Sequence, residues 1–129
     1  MLNISIVLYR PAWEQEVLPL LKELLRVNNL RKIYLLDNTE PEYRKSETAQ
    51  QKETLARQFG TEKLRYMAMG ENMGYGRAHN VALRESAYYK TELHLVMNSD
   101  IRVKAEDIDA IHEWMLVHPE VGQLMPKVL

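Results

Sequence analysis

Three clusters in this 129-residue chain hold residue types that can bind or react. Asn98-Ser99-Asp100 brings together an amide, a hydroxyl and a carboxylate, a donor set suited to a hard divalent cation or a sugar hydroxyl. Ser99 and Asp100 would serve equally well to cap a helix starting near Ala105. Asp37-Asn38-Thr39 is a second polar cluster with a carboxylate, and its plainer reading is a turn. Gly70, Gly74 and Gly76 crowd a stretch that runs on into Arg77 and Asn80. Its backbone N–H groups could face an anion at a helix N-terminus, or its glycines could simply supply positive φ. The stretch is neither GxGxxG after a first strand nor a Walker A sequence. Arg77 is either a phosphate partner through its planar fork or a solvated helix residue. Asn80 reads as tying the loop to backbone groups. His94 reads as an interior histidine with its hydrogen bonds met, and His112 and His118, with acidic neighbours, as solvated. No His/Glu spacing resembles a zinc site, and no GxSxG elbow or cysteine nucleophile is present.

The elements that position these clusters follow from periodicity. Leu93 to Met97 is an apolar run of the kind covered on both faces by helices, and it ends abruptly in Asn98. Ile4 to Tyr9, Lys32 to Leu36 and Leu64 to Met69 read as further strands. Trp13, Val17, Leu20, Leu24 and Val27 recur at helical spacing, so residues 12–27 are expected to be helical, with a kink or a break at Pro19. Thr48 to Gln51 has capping-box spacing, and Ala49, Leu55, Ala56 and Phe59 predict an exposed helix that Gly60 stops. One helix is expected to begin near Tyr75 to Ala78, and another to span about 105 to 117. Residues 121–129 read as a strand or extended segment. This alternation predicts an α/β fold, a three-layer α/β/α sandwich on a mostly parallel sheet. In such sheets ligands collect outside the carboxyl ends of the strands, where Tyr9, Asp37 and Asp100 fall.

Composition narrows the partners. With 17 basic and 18 acidic residues the net charge is −1, which gives nucleic acid no electrostatic hold. No apolar run approaches the roughly 20 residues of a membrane span. The N-terminus lacks the basic start and cleavage site of a signal peptide. The absence of cysteine fits a reducing compartment. A single cytoplasmic domain is the expectation.

Taken together, the pieces resemble the family-2 glycosyltransferases of the GT-A fold, particularly their bacterial rhamnosyltransferase-like branch. ISIVLYRP resembles the first strand, with Tyr9-Arg10 where Tyr-Asn is usual. IYLLDNT resembles the second strand and its Asp-Asn-Ser-like ending. ENMGYGRAHNVAL resembles the family's Asn-x-Gly-aromatic segment, with Asn72, Gly74 and Asn80 matching. LVMNSDI resembles the Asn-Pro-Asp form of the metal motif, with Ser99 in place of Pro and Asp100 as the one anionic ligand.

The resemblance implies a nucleotide-sugar donor, UDP- or dTDP-linked, and transfer with inversion to a glycan or lipid-linked acceptor in cell-surface polysaccharide synthesis. It implies Mg²⁺ or Mn²⁺ at Asp100, stabilising the charge that builds on the leaving diphosphate. Tyr9 would pack on base or ribose, Asp37 would accept hydrogen bonds from the base edge, Arg77 would pair with a phosphate, and Asn38, Asn72, Gly74, Asn98 and Asp100 would complete the nucleotide-sugar site. Family members run well past this length, so the chain corresponds to their donor-binding half. The acceptor surface and general base are expected downstream, with no catalytic residue in this chain. The full-length enzyme would be cytoplasmic, lying against the inner face of the membrane. Val121, Leu124, Met125, Val128 and Leu129 make a C-terminal segment too apolar to stay exposed, so a two-fold homodimer is expected. Two other classes compete. One is a non-catalytic nucleotide- or nucleotide-sugar-binding module. The other is a phosphoacceptor domain, which needs an acidic pair after the first strand that Tyr9-Arg10-Pro11 does not supply.

Overall fold

The computed structural model describes residues 1–43, 59 and 62–126. Four strands, β1 (Leu2–Leu8), β2 (Leu30–Asp37), β3 (Leu64–Ala68) and β4 (Leu93–Asn98), form one sheet in the order β3-β2-β1-β4. Every pairing is parallel, with Ile4 opposite both Ile33 and Leu95. Three α-helices accompany them among the described elements: α1 (Leu18–Leu24), α2 (Tyr75–Tyr88) and α3 (Ala105–Leu116). The expected α/β class and parallel sheet are what the chain adopts. None of the described helices is long and apolar enough to cross a membrane. The helix expected from Thr48 to Phe59 lies outside the described residues, apart from Phe59 itself.

Alternation along β1 divides the core in two. Leu2, Ile4, Ile6 and Leu8 face one side, where they pack with Ile33, Leu35, Met97, Leu20, Leu21, Leu24 and Ile108, so α1 and α3 share that layer. On the other side Tyr34 and Leu36 pack against Ala78 and Ala82 of α2, and the small alanines let that helix approach closely. Asn3 and Ser5 of β1 also face this side and are fully buried. Glu23 of α1 holds α3 in place by accepting the Ala105 N–H at 2.9 Å, which satisfies one of the free donors at that helix start.

The helix over 12–27 is broken at Pro19 as expected: a π-helical turn at Trp13–Val17 is followed by α1, with Pro19 in the first turn of α1 where its missing N–H does no harm. One strand departs from expectation. The strand β4 is not covered on both faces. Among the described residues it is an edge strand, α2 lies mainly over β1, and Val96 is left exposed. Residues 121–126 belong to no helix or strand, and Val128 and Leu129 lie outside the described residues.

Candidate functional site

The strand order 3-2-1-4 reverses between β1 and β4, and at such a point the flanking connections diverge and leave a crevice. A cavity of about 440 Å³ opens there. Val7 and Tyr9 come to it from β1, Glu16 from the π-helical turn, and Asn38 from the end of β2. Asn72 and Tyr75 come from the glycine loop and the start of α2, and Asn98, Ser99 and Asp100 from the end of β4. Five of the eight sequence-derived binding residues therefore meet in one cavity: Tyr9, Asn38, Asn72, Asn98 and Asp100. Asp37, Gly74 and Arg77 do not line it.

Asp37 is buried, and both its carboxylate oxygens are engaged inside the protein. Oδ1 accepts the Thr39 N–H at 2.9 Å, and Oδ2 accepts the Tyr66 hydroxyl. It closes the turn after β2. Removing a buried charged acceptor of two hydrogen bonds should lower the unfolding free energy of Asp37→Ala by about 2 kcal/mol. Urea denaturation measures this, and a midpoint equal to wild type would show the two bonds to be dispensable.

Gly74 has a structural task instead. Its φ of +82° is left-handed backbone, which a side chain would strain. In that conformation its carbonyl accepts Asn38 Nδ2 at 3.1 Å, while its N–H donates to Asn72 Oδ1 at 3.1 Å. One residue thus fixes both amides, engaging one donor of Asn38 and the side-chain oxygen of Asn72. What remains is an Asn38 Oδ1 with no hydrogen-bond partner among the described residues, on a side chain only 3% exposed. The backbone-tying role expected of Asn80, which is exposed, is carried by Asn38 and Asn72.

On the β1 side, the Tyr9 hydroxyl donates to Glu40 Oε1 at 2.7 Å, and this bond pushes the phenol pKa up and the carboxyl pKa down. Arg10 follows in a left-handed conformation, φ +44°, with its N–H donated to Thr39 Oγ1 at 2.7 Å. Its guanidinium lies 3.9 Å from the centre of the Tyr43 ring and 5.2 Å from that of Tyr9. Across the cavity, burial and then the nearby Asp100 charge push the Tyr75 hydroxyl pKa up. Among the described residues, neither Glu16 nor Asp100 has a hydrogen bond or ion pair, and no lysine or arginine lines the cavity.

Behind the cavity, α2 meets β1 through polar groups rather than apolar ones. Asn3 Nδ2 donates to Ser86 Oγ at 2.7 Å, and Ser86 Oγ lies 2.6 Å from His94 Nδ1. Ser5 Oγ stands 2.7 Å from both His94 Nε2 and His79 Nδ1. One proton arrangement satisfies all four contacts. Asn3 donates to Ser86, Ser86 to His94 Nδ1, His94 Nε2–H to Ser5, and Ser5 to His79 Nδ1, leaving the His79 proton on Nε2. His79 in turn lies edge-on to Tyr75, with ring centres 4.4 Å apart. Burial pushes the pKa of both histidines down to about 4, with His79 adding to the effect on His94.

His94 is thus the satisfied interior histidine expected of it. His112 is not solvated as expected. It falls one turn after Ile108 on the inner face of α3 and is only 5% exposed. His118 stacks on Trp114 with ring centres 3.9 Å apart. Sequence reasoning missed Glu16, Tyr75 and His79. Pro19 was the one hint for Glu16, because a proline cannot donate to the Gln15 carbonyl four residues back. No protein-family model matches this chain, and neither a curated protein nor a solved structure matches it.

Proposed function

We infer that this chain is a donor-binding domain of GT-A glycosyltransferase type, taking a nucleotide-diphosphate sugar in the crevice between β1 and β4. The observation that carries the reading is the convergence of Tyr9, Asn38, Asn72, Asn98 and Asp100 on one cavity at the sheet's reversal point. These residues come from four separate stretches of the sequence. Tyr9 offers a ring for base or ribose. Asn38 presents an acceptor and Asn72 a donor, the polarity that an N–H/C=O edge of uracil or thymine requires. Asn38, rather than the internally bonded Asp37, is therefore the base-reading residue at the end of β2.

Asp100, Asn98 and Ser99 are all oxygen donors, and that set fits Mg²⁺ or Mn²⁺. No group of three or more His, Cys, Asp or Glu side chains is arranged for a metal among the described residues, so Asp100 would hold the ion with amide, hydroxyl and ligand oxygens. The bound ion supplies positive charge beside the diphosphate. The cavity has need of that charge, since its own ionised groups are carboxylates and a bare diphosphate would be repelled. The chain's residues seat the base, orient the ribose and hold the ion.

Calorimetric titration of the chain with UDP and with dTDP, with and without Mn²⁺, tests the reading. Binding is expected only with the metal, and equal or absent heats under both conditions would sink it. In the same assay Asn38→Ala should weaken UDP and uridine alike by about tenfold, as for one lost buried hydrogen bond, while pyrophosphate binding stays unchanged. Loss of pyrophosphate binding in that variant would move Asn38 to the phosphate end of the site.

A further inference from the structure

Glu16 lines the cavity although no sequence motif pointed to it, and it stands in a π turn of the backbone. Val17 N–H reaches back to Ala12 carbonyl at 3.3 Å, the wide i→i+5 closure of a π turn. Such a turn inserts one extra residue into helical winding, and single π turns gather at functional sites. Here it lets Val17 stay fully buried in the core while Glu16, its neighbour, lines the cavity. The Gln15 carbonyl, which Pro19 cannot satisfy, is taken by Arg102 Nη2 at 3.1 Å. Arg102 lies two residues beyond Asp100, so the turn bearing one carboxylate is pinned to the loop bearing the other.

We propose that Glu16 accepts hydrogen bonds from the hydroxyls of a sugar unit in this cavity, and that the cavity binds neutral saccharide directly, without a metal. The inference rests on the donor-site reading for where the sugar of the ligand lies. It adds the group that recognises that sugar. Among the described residues, three acceptors on cavity-lining residues have no protein donor: the Glu16 carboxylate, the Asp100 carboxylate and the buried Asn38 Oδ1. Carboxylates accept and cannot donate, so a ligand that satisfies them must be rich in donors. Tyr9 and Tyr75, each about half exposed at 46% and 48%, add rings on which the C–H face of a pyranose can lie. A polyol meets both demands at once. A diphosphate esterified at both ends has acceptors only, and it meets these carboxylates only through a cation.

The test is an amide-shift NMR titration of the chain, in EDTA, with methyl α-L-rhamnoside, methyl α-D-mannoside and methyl β-D-glucoside. At least one glycoside should give saturable millimolar shifts at Glu16, Asn38 and Asp100. Glu16→Gln should raise that Kd by about tenfold, the worth of a hydrogen bond to a charged acceptor. Glu14→Gln, on the outer side of the same turn, should leave it unchanged. Wild-type affinity in Glu16→Gln, or equal losses in both variants, would overturn the proposal. UDP with Mn²⁺ is titrated in parallel. UDP binding without saccharide shifts overturns the sugar-binding proposal and leaves the donor site standing. Saccharide shifts without UDP binding remove the donor reading and keep Glu16 in its role. Silence in both titrations rejects both.

Discussion

Asp100→Ala is expected to bind UDP in Mn²⁺ no better than wild type does in EDTA, a loss on the order of a hundredfold. Asp100 is the carboxylate of the β4 cluster, has no hydrogen bond or ion pair among the described residues, and stands close enough to Tyr75 for its charge to act on that phenol. Removing it should therefore disturb little of the fold and much of the binding. Asp100→Asn keeps the shape and an oxygen ligand but not the charge, and should fall between the two. Calorimetry on the three proteins reads the order directly. Normal metal-dependent binding by Asp100→Ala would show that the ion sits elsewhere.

Acid should destabilise the chain well before its carboxylates are protonated. His79 and His94 are held neutral, with pKa values of about 4 against an ordinary value of 6.5. Between those two values the unfolded chain binds more protons than the folded one, so stability falls as pH drops from 6.5 towards 4 and is unaffected by these groups above 7. The two rings share Ser5, so a proton added to either one breaks a chain in which every hydroxyl is already committed. Arg31 Nη1 donates to Asn3 Oδ1 at 3.2 Å, so a cation already stands at one end of the chain. From pH 7 to pH 5 the loss should be on the order of 3 kcal/mol, spread over both rings. Denaturant melts across that range measure it. In His79→Gln the slope should be about halved. An unchanged slope in that variant would place the acid sensitivity elsewhere.

What could be read from the sequence was set by strands that end in polar residues. Tyr9, Asn98 and Asp100 were visible because an apolar run that stops in a polar group marks a carboxyl end, and parallel sheets gather those ends on one edge. The choice between Asp37 and Asn38 was not visible. It depends on the Tyr66 hydroxyl from β3 and on the Gly74 peptide, both remote in sequence. Glu16 was hidden because the break expected at Pro19 does not say that the turn before it is π-helical, and one inserted residue changes which side chain faces the crevice. His79 was hidden for a different reason: its buried partner Ser5 lies on another element, β1, and apolar periodicity carries no trace of it. The burial of His112 was legible in its place one turn after Ile108, but its acidic neighbours suggested solvent.

The position of β4 has a consequence for how the two rims of the crevice behave over time. β1 is bonded on both sides and carries Tyr9 at its end, whereas β4, among the described residues, is bonded on one side only. In hydrogen–deuterium exchange, β1 amides should therefore open only with the whole molecule, and the outward amides of β4 should exchange by local fraying. A ligand bridging Tyr9 and Asp100 fastens the pliant rim to the rigid one. Occupancy should thus register as slowed deuterium uptake along residues 93–100, with little change in β1, so the edge strand becomes an internal gauge of whether the crevice is filled.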